Sequence, residues 1–69
     1  MPAQSISNAE LRKIKAANPG DRVLRRIILM TLDKRRRVAR ETDAERRAVI
    51  QRALTRHEAW LQKECGAQS

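Results

Sequence analysis

Residues 23–32 read Val23-Leu24-Arg25-Arg26-Ile27-Ile28-Leu29-Met30-Thr31-Leu32, more apolar surface than one helix face can bury. Wound at about 100° per residue, the segment lines up Leu24, Ile27, Ile28 and Thr31 on one stripe. Leu29 and Met30 fall near the opposite side, among Arg22, Arg26, Asp33 and Arg37. A helix with an apolar inner stripe and further apolar residues set in a charged outer face usually touches another chain. The segment therefore predicts an all-α protein with an interaction role.

Upstream, Ser7-Asn8-Ala9-Glu10 matches a capping box, in which Ser7 accepts from the third backbone N–H and Glu10 reaches back. This predicts a helix over about residues 8–17, with Leu11 and Ile14 pointing inward. Asn18-Pro19-Gly20-Asp21 ends it and starts the next. Asn18 is a good cap, Pro19 suits a first helical position, and Asp21 places negative charge at the positive end of the dipole. The second helix is predicted over about 19–40, its inward stripe continuing to Val38. Arg35 interrupts that stripe. Either the helix has left the core by then, or the stem of Arg35 covers the core while its guanidinium reaches water; the second reading is preferred.

Downstream, Glu41-Thr42-Asp43-Ala44-Glu45 holds another capping box, with Thr42 as cap and Glu45 as partner. A tight turn near Glu41 and Thr42 is expected, although no Gly or Pro rules out one continuous helix. The third helix is predicted over about 43–64, stopped by Gly66, with residues 67–69 frayed. Its apolar arc contains Val49, Ile50, Ala53, Leu54, His57, Trp60 and Leu61.

Residues 1–69 thus form one domain, a short N-terminal helix over one end of an antiparallel helical hairpin. Sixty-nine residues give little interior, and Trp60 is the only aromatic. A lone hairpin would leave one apolar side wet, so a homodimer in a four-helix arrangement is expected. Leu24, Ile27, Ile28, Thr31, Val38, Ile50, Leu54, His57, Trp60 and Leu61 are the candidate core and dimer residues.

Sixteen Lys and Arg against eight Asp and Glu give a net charge of +8, a field that attracts nucleic acid, anionic lipid or an acidic protein surface. Lys34, Arg35, Arg36, Arg37 and Arg40 form the densest basic patch and make a small nucleic-acid-binding regulator the alternative reading. The long aliphatic helices do not suit a compact helix-turn-helix reader, and stacking aromatics are lacking. Leu29 and Met30, ringed by Arg22, Arg26, Asp33 and Arg37, are the stronger candidates for a partner-binding site, because an apolar anchor with an arginine rim is a common hot-spot design.

Chemistry is harder to place. His57 has neighbouring in sequence only Glu58, which points away on a helix, so no nucleophile–base–orienter set can be drawn and no enzyme is expected. Cys65 lies at a helix C-terminus, where the dipole disfavours the thiolate. Glycine loops for phosphate and ligand clusters for metal are missing from the sequence, so no cofactor is expected. One cysteine, no apolar run of about 18 residues and no basic-then-apolar start predict a cytoplasmic protein with no membrane partner.

The stretch Asn18-Pro19-Gly20-Asp21-Arg22-Val23-Leu24-Arg25-Arg26-Ile27-Ile28-Leu29-Met30 and the Thr42-Asp43-Ala44-Glu45 cap, in an Arg- and Ala-rich helical chain of this size, resemble the small early proteins of Mu-like Pseudomonas phages. Among these, the similarity is to the anti-quorum-sensing anti-activators. The resemblance implies a homodimer of helical hairpins that binds host proteins in the host cytoplasm and blocks them. Its implied targets are a LuxR-type quorum-sensing activator, gripped at its DNA-binding domain, and the ATPase that assembles type IV pili. A DNA-binding domain is usually basic and would repel a chain of charge +8 at long range. Docking there would need apolar contact, with Asp33 or Glu41 meeting the partner's cations.

Overall fold

Leu11, Leu24, Ile28 and Leu61 meet in a single buried cluster that draws three helices together. The computed structural model describes residues 6–65, in which α1 spans Asn8–Ala17, α2 Arg22–Arg40 and α3 Ala44–Cys65, with no strand among the described residues. α2 is the central element and packs against both others. Leu24 and Ile28 share the cluster with Leu61, while Arg35 pairs with Glu58, so α2 and α3 run antiparallel as a hairpin. The expected stop at Gly66 and fraying of residues 67–69 lie outside the described residues.

The stripe read from helical periodicity is the core. Leu24, Ile28, Thr31, Leu54 and Leu61 are buried, as is Leu11 from α1. Thr31 enters the apolar interior at no hydrogen-bond cost, because its hydroxyl donates to the Ile27 carbonyl at 2.8 Å. Ile27, Val38, Ile50, His57 and Trp60 are only half-buried. Val49, placed on the apolar arc by sequence, is instead 63% exposed. It lies about 120–140° around α3 from Leu54 and Leu61, too far to face α2.

Both inter-helix caps differ from expectation. α2 starts at Arg22 rather than Pro19, and its cap is Asp21, whose carboxylate accepts from the Leu24 N–H at 3.0 Å. Asn18 closes α1 instead, its Nδ2 donating to the Ile14 carbonyl at 2.8 Å. Proline disfavours helical backbone in the residue before it, so Asn18 leaves the helix. Pro19 and Gly20 then form a turn, with the Asp21 N–H donating to the Asn18 carbonyl at 3.2 Å.

A break does separate α2 from α3, at residues 41–43. Thr42 is not the cap. Asp43 accepts from the backbone N–H groups of Glu45 at 2.9 Å and Arg46 at 3.3 Å, while the Glu41 carboxylate accepts from the Asp43 N–H at 3.1 Å. A charged carboxylate at the positive end of the helix outcompetes the neighbouring hydroxyl. Asp43→Ala should therefore lower stability by about 1 kcal/mol, while Thr42→Ala stays near neutral. Urea melts of both variants check this.

Candidate partner-binding face

The spacing of Arg22, Arg26, Leu29, Met30, Asp33 and Arg37 sets all six on the side of α2 turned away from the core. The structure divides them into two groups. Arg22, Arg26, Leu29 and Met30, joined by Arg25, line a shallow open groove of about 360 Å³. Leu29 is 52% exposed and Met30 half-buried, so the floor is apolar and accessible. Asp33 and Arg37 do not line it. They pair with each other one to two turns further on, at 3.1 Å, with both side chains largely solvated.

Arg25 is the lining residue that sequence reading missed. It lies one turn before Leu29, and that i,i+4 spacing was the available signal. Its Nη1 donates to the Pro19 carbonyl at 3.2 Å, which ties this part of the rim to the turn before α2. The groove carries three guanidiniums and no carboxylate.

The basic patch is less continuous than its sequence suggests. Arg35 does not send its guanidinium to water. Its Nε donates to Glu58 Oε2 at 2.9 Å and its Nη1 to Asn8 Oδ1 at 2.6 Å, with the side chain 19% exposed. It is a tie between the three helices and is withdrawn from any phosphate-binding surface. Arg37 is held by Asp33, and Lys34 is half-buried. Arg36 and Arg40 remain exposed, with no ion pair among the described residues.

His57 is half-buried, with Nδ1 shielded and lacking a hydrogen-bond partner. Burial, then the positive charges of Lys34 and Arg56, hold its pKa below the ordinary value. The folded state thus binds a proton less readily than the unfolded chain. Stability should be full above about pH 6.5 and decline as pH falls through that value toward the lowered folded pKa. His57→Gln should flatten this slope in urea melts between about pH 5 and 7. A slope unchanged in the variant would refute the assignment. Cys65 is pushed the other way: burial, then Glu64 and Asp21, raise its thiol pKa. That disfavours the reactive thiolate.

No helix among the described residues is long and apolar enough to cross a membrane. Comparison of the chain with protein-family models, curated proteins and solved structures returns no match.

Proposed function

We propose that this protein is a non-catalytic inhibitor that captures target proteins on the outward face of α2, with Leu29 and Met30 as anchors and Arg22, Arg25 and Arg26 as rim. The observation that carries this reading is the open apolar floor of Leu29 and Met30 beside three arginines on α2. Folding leaves Leu29 in water, and an exposed aliphatic side chain beside an adaptable Met gains most by docking. Inhibition is steric: a target covered on its working surface cannot reach its own substrate or promoter.

The resemblance to phage anti-activators extends this proposal to two targets, the DNA-binding domain of a LuxR-type regulator and the type IV pilus assembly ATPase. Contact with a basic domain is harder than the sequence suggested. Asp33 pairs with Arg37, and Glu41 accepts from the Asp43 N–H, so each carboxylate already has one partner of its own. The apolar floor would carry that interaction.

Self-association belongs to the same proposal, on a different surface. Among the described residues only five apolar side chains are buried, a small core for an independent domain. Ile27, Val38, Ile50, His57 and Trp60 are half-buried and so keep apolar surface in water. A second copy seated there completes a four-helix arrangement. Sedimentation at micromolar concentration should give twice the 8.0 kDa chain mass; a stable folded monomer would defeat the dimer.

Leu29→Ala with Met30→Ala should weaken target binding by about thirtyfold or more, the scale of a hot-spot loss. Both residues have some exposure, and alanine suits a helix, so folding should be retained. Titration of the purified regulator domain and of the pilus ATPase measures this. Undiminished binding in the double variant would refute the site. A short DNA duplex in parallel tests the nucleic-acid reading, whose affinity would collapse with salt and depend on Arg36 and Arg40.

A further inference from the structure

The rim of the α2 groove is chemically one-sided. Arg22, Arg25 and Arg26 lie within one turn of each other, at spacings where like charges repel. No carboxylate forms an ion pair with them among the described residues. Asp21 accepts the Leu24 N–H as helix cap, and Asp33 is held by Arg37. The chain thus presents three guanidinium forks around an apolar floor without an ion-pair partner for them among the described residues.

We infer that this groove receives an acidic amphipathic segment, which seats apolar side chains on Leu29 and Met30 and places carboxylates on Arg22, Arg25 and Arg26. The inference rests on the protein-docking reading above and names the chemistry of its partner. Arginine forks match carboxylates bidentately, so the rim fixes register as well as supplying attraction. Residues 22–30 span about 12 Å of helix, enough for roughly two turns of a docked helix. Two apolar residues at i,i+4 with flanking Glu or Asp fit that length. The net charge of +8 also speeds encounter with an acidic partner.

Other occupants fit less well. In an antiparallel self-pairing centred between Leu29 and Met30, Arg25 would face Lys34 of the second copy and Arg22 would face Arg37. Arg26 would meet Asp33, which already has a cation. A nucleic acid would satisfy the guanidiniums but would cover Leu29 and Met30 with sugar and phosphate, forfeiting the apolar contact.

The test uses the full chain and three labelled helical peptides read by fluorescence anisotropy. The first has two Leu at i,i+4 flanked by Glu; the second replaces each Glu with Gln; the third keeps Glu and replaces each Leu with Gln. The first should bind at least about tenfold tighter than either relative, since both rim and floor contribute. Arg22→Gln, Arg25→Gln and Arg26→Gln together should reduce the first peptide to the affinity of the second. Leu29→Ala with Met30→Ala should reduce the first peptide to the affinity of the third. Equal binding of the first two peptides, lost in the Leu29/Met30 variant, overturns the acidic partner and leaves protein docking standing. Peptide binding indifferent to Leu29 and Met30 overturns docking at this groove itself. Equal binding of the first and third peptides, no binding of any peptide, or a dimer that dissociates in the Leu29/Met30 variant also overturns the inference.

Discussion

Ile28→Ala should remove about 2–5 kcal/mol of stability and leave much of the protein unfolded at room temperature. Ile28 is completely buried and packs among Leu11, Leu24 and Leu61, the residues through which α1 and α3 both meet α2. Truncation there forfeits apolar transfer energy and opens a cavity that three rigid helices cannot readily close. A chain of 69 residues has a total stability of about 3–10 kcal/mol, so the loss is a large share of the whole. The next residue provides the control. Leu29 has similar size and chemistry but is 52% exposed, and Leu29→Ala should fall within about 0.5 kcal/mol of the parent. Urea denaturation followed by far-UV circular dichroism compares them. Equal midpoints for the two variants would mean that the inner and outer faces of α2 had been assigned wrongly.

That contrast between neighbours was legible in the sequence because helical periodicity is a local property. Leu24, Ile28 and Thr31 went inside, and Leu29 stayed outside, as the 100° turn per residue requires. Caps were harder to place. Asn18 and Asp21, or Thr42 and Asp43, are all competent capping residues, and the choice between them follows from where each chain reversal leaves its backbone. Pro19 decided the first by forming a turn in place of a helical start. Val49 illustrates another limit: apolar character placed it on an arc that its angle around α3 carries into solvent. Arg25 joined the groove because its spacing from Leu29 brought it there, a relation visible once Leu29 is taken as the centre. Arg35 was beyond local reasoning altogether. Its partners stand 23 residues downstream and 27 upstream, and only tertiary packing brings them within reach.

Arg35 also supplies the second large effect. Arg35→Ala should destabilise the fold by about 1–3 kcal/mol, lowering the melting temperature by roughly 4–8 °C for each kcal/mol. The guanidinium holds Glu58 of α3 at 2.9 Å and Asn8 of α1 at 2.6 Å, and the Arg35 and Glu58 side chains are 19% and 22% exposed. Its removal leaves the Glu58 carboxylate mostly shielded from water and without its cation, a greater loss than an exposed surface pair would give. A double-mutant cycle isolates the pair: Arg35→Met with Glu58→Gln should cost less than the sum of the two single variants, with a coupling of about 1 kcal/mol. Amide exchange adds a spatial readout, because loss of the tie to Asn8 should loosen the first turn of α1 more than the middle of α3. A solvated phosphate-binding arginine would behave differently, costing little stability and leaving exchange unchanged while weakening DNA binding. An additive cycle together with unaltered exchange in α1 would return Arg35 to the basic patch and remove the internal tie from the account of this fold.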